Sequence, residues 1–229
     1  LPPLAEQRRI VEKIKQLTPY LKKYGSVETI LSNLNLAFPD DLKKSILQYA
    51  VQGKLVPQDP ADEPASVLLE RIRKEGKIKR DKHESVIFRR DNSYYEKVDG
   101  IERCIDDELP FEIPESWEWV RFFSVVEIAT NLVSPERYFD YMHIAPDNIE
   151  KSTGTLLECR TVAQDKVSSP NHLFFKGQIL YSKIRPLLRK AVIAPFDGLC
   201  SADMYPLKTS INKEYLLRYI LSDLFNAQV

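Results

Sequence analysis

The first 24 residues constrain this chain most. Pro2 and Pro3 lack the amide hydrogens that a helix interior needs but a helix entry does not, so a helix is expected from about Leu4. With heptad position a at Ile14 and Leu21, Ile10, Leu17 and Tyr24 fall at d. That seven-residue repeat makes an apolar seam, and a seam of this kind asks for a partner helix in coiled-coil contact. Pro19 falls at the outer position f, where a kink bends the helix without pushing the ring into the seam.

The same helical spacing resumes after Gly25 at Val27, Ile30, Leu31 and Leu34. Phe38-Pro39-Asp40-Asp41 reads as a stop and restart, with Asp40 or Asp41 capping a new helix that Gly53 closes. Residues 1–55 are thus a helical arm with a break. Pro57, Pro60 and Pro64 mark a linker, and Ala65 to Lys82 reads as a charged helix with a narrow stripe at Leu68, Leu69 and Ile72. Residues 84–109 lack periodicity and read as an irregular connector, so 56–108 as a whole is expected to be linker.

A new domain, 109–229, is expected to open at Leu109-Pro110-Phe111-Glu112-Ile113-Pro114, with Trp117 and Trp119 two apart on one face of a strand. Strand-like runs follow at 141–144, 173–175, 178–181, 190–194 and 200–207. Asp197-Gly198 between two apolar runs reads as a hairpin turn. Residues 213–226 close the chain as a helix capped by Asn212, with Leu216, Leu217, Ile220, Leu221 and Leu224 inward. The expected fold class is α+β: a long coiled-coil-forming helical arm followed by a mixed α/β domain with a twisted, largely antiparallel sheet.

The chemistry that the sequence excludes is as informative. Lys and Arg balance Asp and Glu at 33 each, so only local clustering can point to a polyanion. Cys104, Cys159 and Cys200 are odd in number and far apart, which fits neither a disulfide framework nor paired zinc ligands and makes a reducing cytoplasm the expected compartment. No apolar run approaches a membrane span. There is no glycine-rich cofactor loop and no Asn/Asp-Pro-Pro-aromatic tetrapeptide, so a methyltransferase centre is not expected. His83, His143 and His172 stand apart from one another and from the cysteines, and no metal is expected. Pro39-Asp40 with Glu75-Gly76-Lys77 mimics a nuclease motif, but such short elements recur by chance in charged chains.

Two basic clusters remain. Nine Lys and Arg between Arg71 and Arg90 face three acids, and the plain reading is a solvated helix end. Between Arg160 and Lys190, seven cations face the single Asp165. Lys183, Arg185, Arg189 and Lys190, then Arg160 and Lys166, with Tyr181 and Ser182, are the candidate DNA contacts. Lys and Arg neutralise phosphates and can donate to guanine edges, and hydroxyls add neutral hydrogen bonds. In extended backbone Ile184 points away from the flanking cations, and Pro186 puts Arg185 in a loop. An ordinary exposed strand-loop has the same composition. A coiled-coil scaffold or adaptor whose α/β domain binds protein is the alternative from another class.

Several separate stretches resemble the DNA-specificity subunits of type I restriction-modification enzymes. Leu1 to Ile14 is similar to the start of their conserved helical region, and Leu42 to Gln58 to the segment before a target recognition domain. Leu109 to Val120 resembles the domain entry, Gly177-Gln178-Ile179-Leu180 the family's G-D-I-L strand with Gln178 in place of the acid, and Ser201-Ala202-Asp203 its Ser-x-acid element. The resemblance implies a non-catalytic reader of one half of a split double-stranded DNA site, which also docks methyltransferase and restriction subunits. S-adenosylmethionine, ATP and Mg are then expected on those partners, with no cofactor here. Because the chain starts at Leu1 and carries one copy of each region, it is expected to be a fragment with the central conserved region and second recognition domain, whose helix 1 is open to self-association.

Overall fold

A computed structural model describes residues 2–75 and 85–229. They fall into two compact units, 1–46 and 47–229.

The first unit is helix. α1 (Leu4–Val51) runs through both prolines without a stop, so the restart expected at Phe38-Pro39 does not occur. Each proline removes one intrahelical bond, leaving the carbonyls of Lys15 and Asn35 without their usual donors. Both lie on exposed backbone where water satisfies them, which is why this helix tolerates what a buried one would not. The seam residues Ile10, Ile14, Leu17, Leu21 and Tyr24 are all exposed, from 44% to 72%. The helix ends as expected. Gly53, at φ 70°, takes the left-handed position while Gly53 N–H bonds Ala50 O and Lys54 N–H bonds Tyr49 O, the paired bonds of a Schellman cap.

In the second unit, α2 (Ala65–Glu75) follows a stretch of turns and irregular backbone, and its stripe of Leu68, Leu69 and Ile72 packs into a main core cluster. Residues 76–82, which were expected to continue this helix and which hold much of the first basic cluster, lie outside the described residues, as does His83. The supposed irregular connector is instead an antiparallel meander of β1 (Ser85–Arg90), β2 (Ser93–Val98) and β3 (Ile101–Cys104). Its turns are Asp91-Asn92 and Asp99-Gly100, all four at positive φ, the geometry of tight hairpins. The 56–108 segment therefore belongs to the second unit rather than linking to it.

The remaining strands form two sheets. One has the order β10-β9-β12-β4 and comprises β4 (Val126–Ile128), β9 (Ile179–Ser182), β10 (Ala191–Ile193) and β12 (Met204–Thr209), all antiparallel. The other has the order β5-β8-β11-β6-β7, with β5 (Leu132–Val133), β6 (Met142–Ile144), β7 (Arg160–Thr161), β8 (Asn171–Phe174) and β11 (Gly198–Cys200). Only β6 and β11 pair in parallel. α3 (Lys213–Ile220) and α4 (Asp223–Asn226) replace the single closing helix. Asn212 caps the first through Tyr215 N–H at 3.0 Å, and Ser222 ends it by capping the second. Leu216, Leu217, Ile220 and Leu221 are buried as expected, with Phe225 in place of Leu224.

Three further sequence expectations fail in this unit. Asp197-Gly198 makes no hairpin, because β10 and β11 lie in different sheets. Glycine is needed there for close approach: a Cβ at 198 would meet Met142 O at 2.4 Å and a ring carbon of Phe174 at 2.7 Å. The run 200–207 is two strands, split where Ser201 accepts from Asp203 and Met204. Trp117 and Trp119 lie outside any strand, after a turn that Trp117 N–H closes on Pro114 O, and are half-buried, with Trp119 tilted on Phe111 at 5.4 Å.

A carboxylate clamps the meander. Glu96, 3% exposed, accepts from Ser85, from Arg103 Nη2 at 2.6 Å and from Arg121 Nε and Nη2 at 2.7 Å. Arg121 and Arg103 also reach Glu108. The Arg121 hydrogen bonds hold the Glu96 carboxyl down at about 2, below the ordinary 4.5. A depressed acid stabilises the fold fully above its unfolded value and loses that contribution as pH falls from about 4.5 toward about 2. Glu96→Gln should cost about 2–3 kcal/mol at neutral pH and flatten the stability loss across that window in urea unfolding. Parallel pH curves for the variant and the parent protein would contradict the clamp. In the same measurement Gly198→Ala should cost about 1–3 kcal/mol, because backbone and ring must both give way; a change below about 0.5 kcal/mol would show that they yield freely.

Candidate nucleic-acid interface

β9 and β10 pair with Ala191 opposite Tyr181 and Ile193 opposite Ile179. Their alternation feeds two cores. Ile179 and Ala191 face the cluster around α3, while Leu180 and Val192 face the cluster containing Ile144, Phe174 and Met204. A hairpin buried on both faces has little freedom of register, so its connection, 183–190, projects from a fixed base.

That connection is not strand. Ser182 ends β9, and Ile184 lies in a bend instead of the extended backbone expected for it. Arg185 and Arg189 both adopt left-handed backbone, φ 50° and 47°, on either side of a 3₁₀ turn at Pro186–Leu188. Such positions cost about 1–3 kcal/mol each for side chains other than glycine and persist where the surroundings over-determine them. Here several contacts do so. Ser152 N–H bonds Leu188 O and Arg189 O, Leu188 N–H bonds Arg185 O, and Ser182 Oγ donates to Ile184 O at 3.1 Å.

The candidate residues on this hairpin divide by direction. Lys183 and Arg185 are exposed. Lys183 is anchored by its N–H to Asp203 O, and its Nζ lies 5.2 Å from the Tyr205 ring centre, so this exposed cation rests on an aromatic face. Arg189 and Lys190 turn inward, each 16% exposed. Arg189 donates to Leu221 O at 3.3 Å and pairs with Asp223; Lys190 donates to Pro146 O at 2.8 Å and lies 3.6 Å from Asp147. Tyr181 packs edge-on against Phe225 within the core, and Ser182 is 1% exposed. These four are braces of the turn in this structure. Nothing in the local sequence distinguishes an inward arginine from an outward one, since the partners lie more than 30 residues away.

Arg160 and Lys166 belong to another element. Arg160 sits exposed on the edge strand β7, opposite His143. After it, Thr161 and Gln164 exchange backbone–side-chain hydrogen bonds, and Val167 N–H returns to Val162 O, so that Lys166 occupies a left-handed position at φ 52° and points outward. Asp165 Oδ2 lies 2.7 Å from His143 Nδ1 and ties this turn to β6. Sequence reading treated His143 as isolated; its partner is 22 residues on.

Burial is the main reason His172 lies below its ordinary range, with the charge of Lys183 adding to it, and its Nδ1 accepts from Asn131 N–H. Burial pushes the Cys200 thiol up to about 12 and raises Cys159 as well, so neither is a ready nucleophile. Among the described residues no cluster of His, Cys, Asp and Glu could hold a metal, and no helix is long and apolar enough to cross a membrane.

A long helix with a bare apolar seam, joined in sequence to a domain of three sheets that holds cations out on braced turns, describes a binding module. No family model matches the chain. It is similar to three specificity subunits of Escherichia coli type I restriction enzymes. The EcoDI subunit is 45% identical over 126 residues, 55% of this chain and 28% of that protein. The EcoAI subunit is 34% identical over 176 residues, 70% of this chain and 27% of its own length. The EcoEI subunit is 29% identical over 197 residues, 79% and 30% respectively. A solved chain described by complex assembly of the type I R-M system aligns over 99% of this chain and 43% of its own, at a TM-score of 0.44 and 16% identity. This chain is a relative of type I restriction enzyme specificity subunits and spans under a third of the length of those it matches.

Proposed function

We propose that this chain reads one half of a split double-stranded DNA site as part of a type I specificity subunit, and that it does so without catalysing a reaction. The observation that carries this reading is the braced 183–190 turn with Lys183 and Arg185 outward, supported by the names of the relatives. The exposed cations Lys183, Arg185, Arg160 and Lys166 supply phosphate and base contacts. Methyltransferase and restriction subunits dock on the whole protein and carry S-adenosylmethionine, ATP and Mg, and the complex works in the cytoplasm where the DNA is.

About four phosphate contacts should make the logarithm of duplex affinity fall with the logarithm of salt at a slope of about −3 to −4. Binding that ignores salt would refute the reading. Arg185→Ala should weaken a selected site by about 1–3 kcal/mol more than a scrambled one; an equal loss on both would make it a phosphate contact.

The seam on α1 takes a second helix, and in the isolated chain that helix comes from a second copy lying antiparallel. Sedimentation equilibrium should show a concentration-dependent dimer that Leu17→Glu abolishes. A monomer at every concentration would count against pairing through this face.

A further inference from the structure

Leu187 is the most exposed large apolar side chain among the described residues of the second unit, at 77%, ahead of Ile101 at 74%. It stands at the centre of the Pro186–Leu188 turn, between half-buried neighbours, on the connection whose left-handed ends and inward hydrogen bonds fix its path. Ile184, 43% exposed, adds apolar surface on the same connection. No core contact requires a leucine there. Ser, Asn or Gly would suit a solvated turn better, and the same turn carries the outward Arg185 two residues away.

We infer that Leu187 is a base-reading contact, an apolar one for the C5-methyl group of thymine in the major groove, set beside a cation that reads or steers. Thymine alone among the bases presents a methyl there, and an aliphatic side chain next to a guanidinium can report an apolar edge and a polar edge in neighbouring base pairs. Arg189 is then a positioning residue. Its guanidinium is spent on Leu221 O and Asp223, and it acts on DNA only by holding the turn that presents Leu187 and Arg185. The inference rests on the DNA-reading function proposed above and adds the chemical feature that this turn recognises.

The test uses the whole chain and duplexes selected from a randomised pool. Selected sites should hold a fixed thymine whose replacement by uracil, which removes only the methyl, lowers affinity about three- to fivefold. Leu187→Ala should lose the same factor on the thymine duplex and become indifferent to uracil. Arg189→Ala and Asp223→Ala should each reduce discrimination between selected and scrambled duplexes with the salt slope unchanged. A slope smaller by about 0.9 for Arg189→Ala alone would make Arg189 a phosphate contact and overturn its positioning role. Salt-dependent duplex binding by a parent chain that tolerates uracil everywhere, or selected sites with no fixed thymine, would overturn the inference and leave the proposed function standing. Loss on Leu187→Ala equal for all duplexes, with unstacking of a fluorescent base analogue at the contact, would overturn the methyl contact in favour of an intercalating wedge. A chain that binds no duplex removes both the function and the inference.

Discussion

The double-sided burial of the β9–β10 hairpin governs the rest of the second unit. Leu180 and Ala191 have no exposed surface, and Ile179 has 1%. A shift of one residue would exchange the two apolar sets between two cores that differ in shape, so the pairing is fixed by packing on both faces. The connection at 183–190 inherits that rigidity. Left-handed Arg189 is sustained by contacts to Ser152, Leu221 and Asp223, residues brought in by a neighbouring loop and the closing helices, and left-handed Arg185 by the Leu188 N–H that bonds its carbonyl within the turn. The strained turn is thus a consequence of the core. It presents Lys183, Arg185 and Leu187 on a backbone with little conformational entropy left to lose on binding.

Much of this unit was legible as sequence. The apolar runs around β6, β8, β9 and β10 stand between turn residues, and the Asn212 cap and the Gly53 terminator carry the signals their positions require. The meander was not. It buries Glu96 where alternation calls for an apolar side chain and pairs it with Arg103 and Arg121, so an ion cluster replaces the hydrophobic signal; only its turn residues, Asp91-Asn92 and Asp99-Gly100, marked it in the sequence. At Asp197-Gly198 the same dipeptide misled, because glycine there serves a close approach between strands rather than a turn. Pro39 misled for the opposite reason: an exposed helix can leave a carbonyl to water.

The candidate site was legible in position but not in direction. The basic strip marked the 183–190 connection, and Arg185 does sit in its loop. Composition cannot tell that Arg189 and Lys190 are drawn inward by Asp223 and the carbonyls of Leu221 and Pro146, since those partners are distant in sequence. Leu187 carried no signal at all. An exposed leucine is recognisable as unusual only once its neighbours are seen to be packed and its turn is seen to be held.

The two units offer different surfaces, an apolar seam and a braced cationic turn; in the function proposed above the first takes a helix and the second a duplex. Amide hydrogen exchange of the chain, alone and with a selected duplex, separates them in one experiment. Protection that appears on DNA binding across 183–190 and 160–167, with the seam at 10–24 unchanged, is the expected result. Protection confined to α1 or to the meander at 85–104, with the 183–190 turn unaffected, would contradict DNA reading by this turn.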